Sequence, residues 1–387
     1  MTIKEGDAKY IAGTYGRFNV CLAKGEGALL TDENGQEFID MGSGIGVNAF
    51  GVCDPEWTDA VDAQLHTLSH TSNLYYTAPQ VRLAEMLCEK TGMSHVFFGN
   101  SGAEANEGMI KIARKYGNDR SDGKRHVIVT LVNSFHGRTI ATLAATGQDH
   151  FHQHFGPFPE GFRYIPANDK AALEEALSHD DVCGVMMEMV QGEGGLNVLD
   201  RDYVRLAEKL CHEKDILLLV DEVQTGVGRT GSLYAWMQFG IKPDVFTSAK
   251  GLGGGLPIGA VIIGEKCADV LGKGDHGSTF GGNPICCAGA LSIVSRVTDE
   301  LLDNVQKKSG LIRELMAAIP GVQGVDGLGL MLGLRVNKPA GEIAAKCLEK
   351  GLLVLTAKTK VRLLPPLNIT EEQIRRGAAI LAEVLAE

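Results

Sequence analysis

The sequence predicts an α/β fold: a large unit built on a mostly parallel central sheet, with a smaller α+β unit made from the two chain ends. Three observations predict it. Short apolar segments alternate with amphipathic helical segments through the middle of the chain, the pattern of a parallel sheet covered by helices. Several of the apolar segments are hydrophobic on consecutive residues, as strands buried on both faces are. Outside about 49–288 the alternation stops and hairpin-like segments take over.

The elements follow in order. Residues 27–40 read as two short strands around Asn34 and Gly35. Trp57, Val61, Leu65 and Leu68 mark one helical stripe, with Asp54 as N-cap and Pro55 in the first turn. Strands are expected at 95–98, 126–132, 182–187, 216–220, 245–248 and 259–263. Between them, Tyr203, Leu206, Ala207, Leu210 and Cys211 mark a second stripe. A long helical stretch is expected from Ala288 to about Ala318, then strands near 330–336, 352–356 and 361–364. Thr370 and Gln373 form a capping box that opens a last helix through Ile374, Ala378, Leu381 and Leu385. The expected division is 1–48 and 289–387 for the smaller unit and 49–288 for the larger.

Composition excludes several classes. Net charge is −11, which disfavours nucleic acid and anionic membrane as partners. No apolar run approaches the ~18 residues of a membrane span, and the first ten residues lack the apolar stretch of a signal peptide, so a cytoplasmic location is expected. The nine cysteines are scattered without CxxC spacing and read as free buried thiols, with the adjacent Cys286 and Cys287 as core packing. Glycine is in excess, 49 of 387 residues, without a collagen period. It clusters at 42–51, 192–195, 226–231, 251–259 and 281–282, where tight turns or backbone close to a ligand are expected.

Two strand ends carry chemistry. The strand at 216–220 runs into Asp221 and Glu222, and the strand at 245–248 into Lys250 set among glycines. Ligands gather at the C-terminal ends of strands in open α/β sheets. A lysine partly buried there has a lowered pKa and a usable amine. A strand-end carboxylate with a strand-end lysine fits pyridoxal phosphate: the lysine forms the Schiff base and the carboxylate keeps the pyridine nitrogen protonated. A phosphate then needs a site. Ser101 and Glu104 have capping-box spacing after the strand at 95–98, and the free N–H groups beside Gly102 suit a phosphate. Phe135, at another strand end, can stack on a flat ring, and Arg138 can grip a carboxylate with two donors.

Together these segments resemble one family. SGAEANE (101–107), NSFHGRT (133–139), VQGEGG (190–195), LLLVDEVQTGVGRTG (217–231), TSAKGLGGGLPIGA (247–260) and GSTFGGNP (277–284) are similar to class III, fold-type I PLP aminotransferases, in family order and spacing. YGRFNV (15–20), HTSNLYYTAPQ (70–80) and VRLLPPL (361–367) extend the likeness along nearly the whole chain. The resemblance implies pyridoxal 5'-phosphate bound by Lys250, with Asp221 at the ring nitrogen and Gln224 at the ring hydroxyl. Val223 and Phe135 would close the ring faces, with His136 beside them. Ser101, Gly102 and Ala103 would hold the phosphate. Ser278 and Thr279 would bring a contact to the neighbouring subunit's phosphate, which makes a homodimer necessary. Arg138 would bind a substrate carboxylate and Arg362 the α-carboxylate of glutamate or 2-oxoglutarate. Glu193 would gate Arg362, and Tyr15 would lie at the substrate.

Within the class, YGRF and SNLYY most resemble the branch that acts on N2-acetylornithine; succinylornithine, ornithine and 4-aminobutyrate are the alternative donors. The sequence departs from the family pattern at Met189, where proline is usual, at Gly51–Pro55, at Gly251 and at Leu256. Two other patterns compete. Gly226, Gly228 and Gly231 match GxGxxG, as in a dinucleotide-binding dehydrogenase, but the first glycine falls too far past Val220 for a tight strand–helix turn. His150, His152 and His154 alternate as on one face of a strand, yet no further ligand completes a metal site, and a structural role is expected.

Overall fold

The computed structural model describes residues 1–387. At the N-terminus β1 (Leu22–Glu26), β2 (Leu29–Asp32) and β3 (Glu37–Asp40) form an antiparallel meander, with Asn34 and Gly35 in its second turn. The Asp32 carboxylate accepts from the backbone N–H of Asn34 and of Gln36, both at 2.9 Å, and this side chain sets the turn.

The central sheet has seven strands: β4 (His95–Gly99), β5 (Val127–Leu131), β6 (Phe162–Ile165), β7 (Val182–Met187), then, after the short pair β8 (Val190–Gln191) and β9 (Asn197–Val198), β10 (Leu217–Asp221), β11 (Val245–Ser248) and β12 (Gly259–Ile263). Their spatial order is β4-β12-β11-β10-β7-β5-β6. All are parallel except β12, which runs against both neighbours. Strands β5, β7, β10, β11 and β12 are buried at every residue, in keeping with their predominantly apolar sequences.

Toward the C-terminus β13 (Val322–Leu328), β14 (Met331–Val336), β16 (Leu355–Ala357) and β17 (Lys360–Leu363) make a second sheet in the order β13-β14-β17-β16. The two-residue strand β15 (Leu352–Leu353) instead joins the N-terminal meander, parallel to β3. Thr370 and Gln373 cap the last helix, Glu371–Ala386, reciprocally. One continuous core of 68 buried residues runs from the central sheet into this region. No helix is long and apolar enough to cross a membrane.

Several expectations are corrected. The stretch after Ala288 is two helices, Pro284–Ser295 and Asp299–Ala317, because Thr298 caps a new start by accepting from the Leu301 N–H. β6 and β13 lack a continuous apolar run, one being half polar and the other holding two glycines, so their hydrophobic pattern is weak. Helix Pro55–Thr67 has Asp54 as its N-cap, but none of its residues is buried and Leu65 and Leu68 are exposed. His150, His152 and His154 do not lie on a strand: a short 3₁₀ turn, Asp149–Phe151, ends there. His150 stacks on Phe151, His152 bonds the Leu143 carbonyl at 2.8 Å, and no group of metal-ligating side chains forms. Six cysteines are buried, Cys286 and Cys287 among them, but Cys53 is exposed and Cys21 and Cys88 are half-buried.

Candidate active site

The C-terminal ends of β4, β5, β7, β10 and β11 point to one side of the central sheet and enclose a cavity of about 460 Å³. Strand β10 ends in Asp221. One of its oxygens accepts from Asn106 Nδ2 at 2.7 Å and pairs with His136 Nδ1 at 2.8 Å; the other accepts from the Val223 N–H at 3.0 Å. Asn106 is itself fixed, since its carbonyl accepts from Thr247 Oγ1 at 2.8 Å. The carboxylate is therefore aimed by three neighbours rather than by its own rotamer preference.

Lys250 follows β11 with φ at 47°. This is a left-handed conformation that a side-chain-bearing residue adopts at a cost, and strain of that kind concentrates at functional sites. The amine lies in the cavity. Loss of water lowers its pKa, opposed by the charges of Glu193 and Asp221.

Helix Gly102–Asp119 begins at the cavity. Ser101 Oγ accepts from the Glu104 N–H at 3.1 Å, but the Glu104 carboxylate turns to Asn100, so the reciprocal half of the expected capping box is absent. The N–H groups of the first turn remain available to an anion. Gly102 has no room for a side chain: a Cβ there would lie 2.6 Å from Val223. At Gly192 a Cβ would meet the Gln224 amide oxygen at 2.2 Å, so a bare backbone there lets Gln224 turn into the site. Gln224 Oε1 and His136 Nε2 are buried without a hydrogen-bond partner.

Arg362, on β17, is 4% exposed. Its Nη1 donates to Glu193 Oε1 at 2.6 Å, and its Nε has no partner. Arg138 is exposed, pairs with no carboxylate, and lies with its guanidinium 4.1 Å from the centre of the Phe151 ring, a cation–π contact.

Of the residues expected at the site, Ser101, Gly102, Ala103, Phe135, His136, Arg138, Glu193, Asp221, Val223, Gln224 and Lys250 line the cavity. Arg362 adjoins it through Glu193. Ser278 adjoins it through Asn100, whose Nδ2 donates to Ser278 Oγ at 3.0 Å. Thr279 is exposed outside this cavity. Tyr15 is not brought to the site. It is 73% exposed in a segment without helix or strand, with the Arg17 guanidinium 5.4 Å from its ring centre.

Two site residues escaped the sequence analysis. Glu188, buried at the end of β7, accepts from the Phe135 N–H at 3.0 Å; burial and the charge of Asp221 push its carboxyl well above the usual range. The signal was present, because Glu188 ends a buried apolar strand just as Asp221 does. Asn106, by contrast, sits mid-helix with no local sign of its partner. The GxGxxG segment opens no helix; the next helix is the short Ala235–Phe239.

The family model Aminotransferase class-III matches residues 10–385. The chain is 51% identical over 387 residues to an acetylornithine aminotransferase of Haemophilus ducreyi, covering 100% of this chain and 98% of that one. It is 47% identical to an acetylornithine aminotransferase of Caldanaerobacter subterraneus, covering 98% of each. Among solved structures it is similar to N-acetylornithine aminotransferase from Stenotrophomonas maltophilia, with a TM-score of 0.84 at 38% identity over 96% of this chain and 97% of that one. It is also similar to the ornithine aminotransferase from Toxoplasma gondii, with a TM-score of 0.94 at 33% identity over 99% and 94%.

Proposed function

The chain belongs to the class III aminotransferases, which are pyridoxal-phosphate enzymes, and from that premise we propose that it transfers the terminal amine of N2-acetylornithine to 2-oxoglutarate in arginine biosynthesis. The observation that carries the proposal is the Glu193–Arg362 pair beside the Lys250 and Asp221 cavity. A single reactive centre must accept a terminal amine, whose carboxylate lies several bonds away, and then glutamate, whose amine and carboxylate share a carbon. A carboxylate that covers or uncovers one arginine changes which cation the substrate meets.

The residues fit the cofactor. The unpartnered Gln224 oxygen and the aimed Asp221 suit a ring hydroxyl and a ring nitrogen; the start of helix Gly102–Asp119 suits a phosphate. When bound, pyridoxal phosphate supplies an electron-poor ring that accepts the pair left when a C–H bond beside the amine breaks. Asp221 would hold the proton at the ring nitrogen, and Phe135 and Val223, which line the same cavity, would close the two ring faces. Lys250 Nζ takes the proton from the carbon that bears the substrate amine; burial lowers its pKa, the direction that favours the free base this task needs. Arg138 binds the carboxylate of acetylornithine while Glu193 covers Arg362, and Arg362 binds the α-carboxylate of glutamate once Glu193 moves away. Glu193→Ala should impair the acetylornithine half-reaction more than the glutamate half-reaction; equal loss in both would refute the gate.

The working unit is proposed to be a cytoplasmic homodimer in which Ser278 and Thr279 complete the neighbouring subunit's phosphate site. The division into 1–48 with 289–387 and 49–288 is proposed on the pairing of β3 with β15. The higher TM-score to the ornithine aminotransferase makes ornithine the second donor to consider. Stopped-flow absorbance of the half-reaction with acetylornithine, ornithine and 4-aminobutyrate tests the assignment. Acetylornithine should react with the highest ratio of rate to half-saturating concentration, and a preference for ornithine would overturn it.

A further inference from the structure

The glycine-rich segment 226–231 carries a buried cation that takes no part in the chemistry above. Arg229 is 2% exposed and forms no ion pair within 4.0 Å. Its Nη1 donates to the Leu330 carbonyl at 3.2 Å and also to the Pro365 carbonyl. The Leu330 N–H donates back to the Arg229 carbonyl at 2.9 Å. The nearest carboxylate, Asp40, spends one oxygen on the N–H groups of Gly42 and Ser43, both at 2.8 Å. Burying a guanidinium among carbonyls is costly unless its donors are satisfied, and the two N–H bonds of Nη1 let that one nitrogen hold both carbonyls at once.

The two carbonyls flank one residue. Leu330 precedes β14, which pairs with β17 so that Gly333 stands opposite Arg362; Pro365 lies three residues past Arg362 on the same chain. At its other end Arg229 is tied to the strand that carries Asp221: its N–H donates to the Gly226 carbonyl at 3.3 Å, and the Gly226 N–H donates to the Glu222 carbonyl at 3.0 Å. Arg362 stands on β17 and Lys250 just past the end of β11, and no ladder joins the two sheets. The backbones also touch directly, since a Cβ on Gly329 would lie 2.4 Å from the Thr230 carbonyl carbon.

We propose that Arg229 is a positioning residue for Arg362: by clamping the Leu330 and Pro365 carbonyls to the end of β10 it sets the distance between the carboxylate-binding guanidinium and Lys250. The inference rests on the assignment of Arg362 to the α-carboxylate of glutamate and 2-oxoglutarate. Substrates that need Arg362 should therefore feel the loss of Arg229, and the acetylornithine half-reaction, with Arg362 covered by Glu193, should not.

The test compares Arg229→Gln, Arg229→Lys, Gly329→Ala and Arg362→Gln holoenzymes. Displacement of a binding group by a fraction of an ångström should raise KM for 2-oxoglutarate about tenfold or more in Arg229→Gln, and Arg229→Lys, which keeps a cationic donor of different shape, should recover part of it. The affinity for glutarate, an unreactive dicarboxylate, measured by calorimetry, should weaken in parallel. The KM for acetylornithine should stay within about twofold in the same proteins, the split that uniform loss of binding to one substrate predicts. Gly329→Ala keeps the cation and pushes the β13–β14 turn away from Thr230, so it should give the same selective loss and carries the test if Arg229→Gln does not fold. Equal loss in both half-reactions, or an unchanged 2-oxoglutarate KM in these variants, would overturn the clamp. If Arg362→Gln leaves that KM unchanged, the carboxylate role of Arg362 fails first and takes the clamp with it.

Discussion

Glu222 follows Asp221 and has a different fate. It turns away from the cavity, accepts from the Trp236 N–H at 2.8 Å and the Thr225 hydroxyl at 2.5 Å, and is fully enclosed. Burial, assisted by the negative charge of Asp221, raises its pKa from 4.5 to about 7. The folded protein thus holds a proton between these two values that the unfolded chain has released. The stabilisation is complete below about pH 4.5 and is lost as pH rises through 7, a shift worth about 3 kcal/mol. Glu222→Gln keeps the acceptor for Trp236 and removes the titration. Its melting temperature should fall less than that of the parent between pH 6 and 8, measured by calorimetry. Sequence marked both acids as strand-end carboxylates. It could not separate them, because which one faces the ligand depends on what packs behind each.

Among the elements, β10 was legible because burial on both faces leaves a nearly unbroken apolar run. The reversed direction of β12 was not, since strand direction leaves no trace in residue pattern. That strand also explains one glycine of the 251–259 cluster. A Cβ on Gly259 would lie 2.1 Å from the Ser101 carbonyl oxygen, so the bare backbone lets the start of helix Gly102–Asp119 rest on the sheet. Gly259→Ala should displace Ser101 and weaken cofactor binding about tenfold, read by equilibrium titration of the apoprotein with pyridoxal phosphate, while far-ultraviolet dichroism stays unchanged. An unchanged affinity would show that the helix start tolerates the shift. Helix Pro55–Thr67 illustrates the opposite difficulty: its apolar stripe is plain in the sequence, yet Leu65 is left exposed in the single chain.

That exposure belongs to the scale of the whole molecule. Leu65, Leu68, Leu74, Tyr75, Tyr76 and Phe280 are all exposed, Tyr76 completely. On the proposed homodimer, these exposed apolar and aromatic side chains are the ones the second subunit would cover. Thr279 stands beside Phe280, as the proposed shared phosphate contact requires. Tyr76→Asp should therefore yield monomers in sedimentation velocity and lose pyridoxal phosphate affinity together. A monomer that keeps full affinity would dismiss the shared site.

The sequence by itself determined the α/β class, the strand ends that carry Asp221 and Lys250, and the capped helix that opens at Ser101. Each is written in a local pattern: an apolar run, a terminal polar residue, a capping residue. Only the tertiary structure decided that Asn106 joins the site, that Glu222 turns away from it while Asp221 faces it, and that Arg229 ties Arg362's strand to Asp221's. These contacts link residues far apart along the chain, and no side chain records in its own neighbourhood the partner it finds after packing.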